Sequence, residues 1–204
     1  MRRSVRLYRP DPVDRETILE VLEAGRHCPT GSNRQNVRYL VFTDRSELEE
    51  LRRRVIDFYA RLFRRVKTPL GALSIRLAAG SKTLQILRGY LPLVELIRQR
   101  HEAGEDRLFF HAPVVILAHA ESWDTCSAFN CAAALFACSL KAHTMGLGTC
   151  FNGFLEEAVV HDRSLKKWLG VPRDHRVYGA MTMGRSAVEF KRWVYRKPPE
   201  VTWR

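Results

Sequence analysis

Directly after Asp14, apolar residues recur at helical spacing. Ile18, Val21, Leu22 and Gly25 share one face, Asp14 is suited to cap the first turn, and the pattern stops near Arg26. Polar and turn-forming residues fill His27 to Asn36, and the strand-like run Tyr39-Leu40-Val41-Phe42 follows. A polar loop between two core elements is expected there. Ser46 and Glu49 have the spacing of a capping box, and Leu48, Leu51, Val55, Phe58, Tyr59 and Leu62 line the apolar face of the helix that it would start.

Between residues 67 and 104 the pattern loosens into basic, partly helical sequence punctuated by Pro and Gly, which predicts an excursion from the core able to act as a lid. Ala112-Pro113 then leads into Val114-Val115-Ile116-Leu117-Ala118, a continuous apolar run suited to a central strand covered on both faces. A long helix is expected from Asp124 to Met145, apolar on nearly every side and ended by Gly146 and Gly148. A short helix near Ser164–Leu169 and a strand at Tyr178–Met183 complete the pattern, and Pro198-Pro199 favours an extended tail. No internal repeat interrupts this order. The prediction is a single α+β domain over residues 1–204, a central sheet surrounded by helices.

Composition narrows the function. With 46% hydrophobic residues the chain can bury a full core. The formal charge of +12 suits either a nucleic acid or a phosphate-bearing cofactor. Arg and Lys are spread from end to end, and no helix-turn-helix, zinc-finger or RNA-stacking signature appears, so nucleic acid is the weaker choice. The five cysteines form no C-x-x-C pair, and His101, His111, His119 and His161 lack metal-ligand spacing, so reduced thiols and no metal are expected. Gly80-Ser81-Lys82-Thr83 lacks the full phosphate-loop pattern, and no G-x-G-x-x-G follows a strand. The most apolar stretch, 128–147, carries Asn130, Lys141 and His143, which predicts a buried helix and no membrane partner. Met1 runs straight into basic residues without an apolar leader, which predicts a cytoplasmic protein.

Three segments carry candidate chemistry. Arg2-Arg3-Ser4-Val5-Arg6 concentrates guanidinium groups, whose forks match phosphate oxygens, with a hydroxyl. Glu23-Ala24-Gly25-Arg26-His27-Cys28-Pro29-Thr30-Gly31-Ser32-Asn33-Arg34-Gln35 precedes a strand. In Met145-Gly146-Leu147-Gly148-Thr149-Cys150-Phe151-Asn152-Gly153, glycines allow backbone to approach a flat ligand. Alone, the first reads more readily as solvated surface, and the other two read equally well as, respectively, a turn and a helix end followed by a turn.

In this order and spacing, the three segments resemble the nitroreductase family: an Arg/Ser/Arg start, then E-A-x-R-x-x-P-[ST]-x-x-N-x-Q, then G-L-G-T-C-x-x-G. Tyr178-Gly179-Ala180-Met181 and Arg196-Lys197-Pro198-Pro199-Glu200-Val201-Thr202-Trp203 look like the end of members that carry an N-terminal ferredoxin module; no cysteine-rich segment precedes Arg2 here. The resemblance implies a homodimeric FMN oxidoreductase. Arg2, Arg3, Ser4 and Arg6 would hold the FMN phosphate and ribityl end, joined by Arg196, with Arg192 as a substitute. Pro29, Thr30, Gly31 and Asn33 would reach the same FMN from the other subunit, supported by Gln35. Cys150, Phe151, Asn152 and Gly153 would run along the flavin, a backbone N–H near Gly153 meeting N5. The implied donor is NADH or NADPH, or a separate electron-transfer protein, and the implied acceptor a small molecule such as a nitroaromatic or quinone. Dehydrogenation or oxidation of another substrate through FMN, and a basic nucleic-acid-binding module, are the alternatives. In the family Pro and an aromatic often follow the Gln, whereas Asn36 and Val37 stand here.

Overall fold

The computed structural model describes residues 2–192 and 194–204. Its sheet is built on β2 (Val114–Glu121), which pairs antiparallel with β1 (Arg38–Phe42) on one side and with β4 (His175–Arg185) on the other; β3 (Leu147–Phe151) adds to the far edge of β4. The order is β1-β2-β4-β3. The apolar run at 114–118 is thus a central strand, and every residue from Val114 to Ala118 is fully buried. At about 1.5–3 kcal/mol for each large side chain removed from water, this run anchors the core.

Alternation along β2 divides that core in two. Val115 and Leu117 face α2 (Arg45–Lys67), α3 (Pro69–Glu102), α5 (Gly153–His161) and α6 (Arg163–Trp168). Val114, Ile116 and Ala118 face α1 (Arg15–Arg26) and α4 (Ser127–Thr144). The result is an α+β fold with helices on both faces of one antiparallel sheet.

Asp14 caps α1, its carboxylate accepting from Thr17 N at 2.7 Å. The start of α2 differs from expectation. Asp44 caps it, accepting from Glu47 N at 2.9 Å, while Ser46 and Glu49 both lie inside the helix. A carboxylate in extended backbone just before the helix satisfies a free N–H and complements the dipole, so it displaces the Ser46 box. α4 begins at Ser127 rather than Asp124, because Asp124 is used in a turn where it accepts from Cys126 N at 3.0 Å.

Residues 147–151, expected as a turn, form β3, and α5 was not anticipated at all. The 67–104 region is almost wholly helical, with Gly80 (φ 85°, ψ 161°) breaking α3 in two. After β4 the described part of the tail carries no helix or strand. No described helix is long and apolar enough to cross a membrane.

Candidate active site

The N-terminal segment adds to the outer edge of β3. Ser4 bridges Thr149, and Val5 N donates to Thr149 O at 3.0 Å. Gly148 makes this possible, since a Cβ there would lie 2.5 Å from Val5 Cγ2. Arg6 is thereby placed beside the start of α5. Arg2 Nη1 is buried without a hydrogen-bond partner among the described residues. Arg3 Nη1 donates to Arg192 O at 3.0 Å, and its guanidinium lies 4.3 Å from the centre of the Phe190 ring.

Arg6 opens onto a cavity of about 570 Å³. Leu93, Leu96 and Ile97 of α3 form one wall, Leu108 and Phe110 another, and Cys150 to Phe154 the floor, with Arg100 and Arg107 completing the lining. Two polar side chains shape it. Asp106 Oδ1 accepts from Leu108 N (2.9 Å) and Phe109 N (2.8 Å), and Oδ2 accepts from His111 N (3.0 Å). That carboxylate winds the loop tightly enough to put Phe110 and His111 at φ 60° and 54°. Asn152 donates from Nδ2 to Leu108 O at 2.7 Å and accepts at Oδ1 from Leu155 N at 3.0 Å, so it ties the same loop to α5 and caps that helix. Gly153 is then the first residue of α5, where backbone N–H groups have no partner within the helix, and the space beside its Cα is open.

The charge balance in the cavity is positive. Glu105 is shared by Arg100 (2.6 Å) and Arg107 (3.3 Å), and the hydrogen bond from Arg100 is the main reason its carboxyl lies below the usual range. Two guanidiniums against one carboxylate leave a net cation, and Arg6 adds another, 5.9 Å from the Phe110 ring centre. A flat, apolar ligand with an anionic group suits such a lining. The uncompensated Arg2 and the free end of α5 are what a phosphate and an electron-rich ring nitrogen would satisfy.

The loop after α1 lies elsewhere. Gly31 N donates to Asn130 Oδ1 (3.0 Å) at the start of α4; Gln35 N donates to Thr30 Oγ1 (3.0 Å), and Gln35 Nε2 to Asn33 Oδ1 (3.1 Å). None of Pro29, Thr30, Gly31, Asn33 or Gln35 lines the cavity. Asn36, where the resemblance suggests Pro, is central to this arrangement: it donates to Glu121 (2.9 Å) and Asp124 (3.0 Å) and accepts from Asn130 (3.1 Å). Beside the loop, α4 turns Phe129 and Phe136 outward, both at least half exposed. Arg196 is exposed in the tail, and Val201 to Trp203 form no strand within the chain.

The family model described as the Nitroreductase family matches residues 1–185. The chain belongs to the nitroreductase family. Among solved structures, it is similar to a nitroreductase with bound FMN from Bacteroides fragilis NCTC 9343, at 23% identity and a TM-score of 0.71, with 98% of this chain and 94% of that one covered. A nitroreductase with bound FMN from Desulfitobacterium hafniense DCB-2 matches at 19% identity and a TM-score of 0.65, covering 98% and 89%. An FMN-dependent nitroreductase from Clostridium difficile R20291 matches at 16% identity and a TM-score of 0.62, covering 98% and 95%. No curated protein matches the sequence.

Within this nitroreductase chain, Arg6 and Cys150 to Gly153, from two of the three motif segments, line the same cavity. Arg100, Arg107 and Phe110 also line it and were not foreseen. The available signal was Asp106 ahead of an Arg-Leu-Phe-Phe run: a short acceptor followed by amides that it can collect.

Proposed function

We propose that the chain is an FMN-dependent oxidoreductase, a cytoplasmic homodimer that passes electrons from NADH or NADPH to a small organic acceptor such as a nitroaromatic or quinone. The observation that carries this is the cavity itself: an apolar, cation-edged space that Arg6 opens onto and that includes the unpartnered N-terminus of α5. FMN, when bound, supplies the two-electron chemistry.

The chain's own residues bind and orient. Arg2, Arg3, Ser4 and Arg6 hold the phosphate and ribityl end, and Arg196, or Arg192 in its place, joins them from the tail. Cys150, Phe151 and Asn152 would line the ring system of a bound flavin, and the Gly153 N–H would be available to its N5. Phe110, Phe151, Phe154, Leu93 and Leu96 exclude water, with the second half of α3 as the lid. Pro29, Thr30, Gly31 and Asn33, backed by Gln35, come from the second subunit; their distance from the cavity of their own chain supports that assignment. The outward Phe129 and Phe136 of α4 supply apolar surface for the dimer.

Anaerobic stopped-flow mixing of the FMN-loaded protein with NADH or NADPH tests the donor. Bleaching of the flavin on the timescale of turnover is the expected result. No bleaching would move the donor to a separate electron-transfer protein, or the function to oxidation of another substrate.

A further inference from the structure

Between Asp57 and Glu95 the sequence has seven Arg or Lys residues and no Asp or Glu. Two of these cations are matched across the fold: Arg61 lies 2.6 Å from Asp162, and Lys67 lies 3.9 Å from Glu95. Arg64, Arg65, Arg76, Lys82 and Arg88 are exposed and have no acidic partner among the described residues.

The first half of α3, from Pro69 to the break at Gly80, is apolar on the wrong side. Ala72 is buried and Ile75 half-buried, and they mark the face toward the core. Leu70, Leu73 and Leu77, at spacing i, i+3, i+7, form a second stripe on the opposite face, with Leu70 82% and Leu77 79% exposed. A surface helix ordinarily turns polar residues outward. Here leucines project from an exposed half-helix, with free cations on the end of α2 before them, within the half-helix and just beyond the break.

We propose that this arm docks on an anionic lipid bilayer, its leucines entering the headgroup boundary and its cations facing the lipid phosphates. An outward apolar stripe flanked by Arg and Lys, on a helix not apolar enough to cross a membrane, is the pattern of an interfacial helix. A nucleic acid would use the cations and leave the leucines in water. A protein partner would have to supply both a groove for the leucines and acidic groups for the five free cations, whereas an anionic bilayer supplies both without a fixed shape. The sequence expectation of no membrane partner rested on the polar residues that interrupt the 128–147 stretch and so concerns a span; peripheral docking is a separate mode.

The test is co-sedimentation of the full chain, supplied with FMN, with vesicles of phosphatidylcholine containing about 30% phosphatidylserine, against pure phosphatidylcholine. Binding to the anionic vesicles, weakened by salt, is expected, with about fivefold loss for each of Arg76→Gln and Lys82→Gln. Leu70→Glu/Leu73→Glu/Leu77→Glu should abolish it while leaving the sedimentation coefficient and flavin content unchanged; Leu77→Ser alone is the milder variant, expected to fold and to bind more weakly. Failure to pellet with anionic vesicles overturns the proposal. So does equal binding by the triple variant, salt-sensitive binding of duplex DNA that ignores the leucine changes, or a change in sedimentation that makes a second copy the occupant. The vesicle readout needs no redox activity, so its outcome is separate from that of the flavin assignment.

Discussion

α3 and α4 both expose large apolar side chains, but they do so in different company. On α4, Phe129, Phe136 and Leu140 stand on a helix whose one Lys or Arg, Lys141, is neutralised by Glu20 at 2.6 Å. On the first half of α3 the exposed leucines are flanked in sequence by Arg64, Arg65, Arg76 and Lys82, which have no acidic partner among the described residues. α4 is also the more firmly seated: its inner face is wholly buried against the sheet, whereas the first half of α3 has Ala72 as its one fully buried residue. The difference teaches that exposed apolar surface is read through its neighbours. A neutral aromatic face on a rigid helix suits a second copy of the chain, and a charged leucine stripe on a loosely held arm suits a surface without a fixed shape.

The largest expected effect breaks the α4 side of that contrast. Phe129→Glu/Phe136→Glu should weaken the dimer by about 4 kcal/mol or more, roughly a thousandfold, because each buried aromatic anchor is worth about 2 kcal/mol or more and a charge in its place adds desolvation. Analytical ultracentrifugation reads this directly. An unshifted dimer would remove α4 from the interface and make its resemblance to α3 closer than we hold.

An intermediate effect concerns the sheet that supports α4. His119 and His175 are buried, with their Nδ1 atoms 3.0 Å apart, where β2 and β4 slip register. Burial first, then the charge of His175, brings the His119 pKa down to about 4 from an ordinary value of 6.5. The folded state therefore binds fewer protons than the unfolded state between those values, so stability is full above about pH 6.5 and is lost as pH falls toward 4. On the order of 3 kcal/mol should go in this window. Denaturant titrations across it, for the native chain and His119→Gln, test the sign: the variant should be the less acid-sensitive of the two, and equal slopes would contradict the assignment.

The smallest effect sharpens the contrast at the arm. Gly80 holds a backbone conformation open to glycine almost alone, with free space around it, so Gly80→Ala costs about 1–3 kcal/mol through strain and not through a clash. Because the arm shares little core, faster amide exchange should be confined to α3 while the global midpoint barely moves. Loss of cooperative stability instead would tie α3 to the core as tightly as α4.

Regular burial made much of this legible from sequence. The run at 114–118 announced a strand covered on both faces, and the spacing from Asp14 and from Leu48 announced α1 and α2. β3 and α5 were hidden because their pattern depends on distant partners: Gly148 is small to admit Val5, and Asn152 caps a helix while holding Leu108 O. α3 was obscured by its apolar residues on opposite faces, which blur helical periodicity, and by Gly80 and Pro92, which read as breaks. Of the motif residues, Arg6 and Cys150–Gly153 line the cavity. The motifs missed Arg100 and Arg107, which reach the cavity only because Asp106 winds the intervening loop and α3 ends beside it.

Everything proposed for the cavity rests on FMN, and FMN affinity measured by fluorescence titration, with the visible spectrum of the desalted protein alongside, tests it most directly. The account predicts flavin retained in proportion to chain, and an affinity weakened about tenfold or more in Arg196→Ala, from the loss of charge-assisted bonds worth roughly 1.5–3 kcal/mol. A protein that desalts colourless and leaves FMN fluorescence unchanged at every concentration would contradict it.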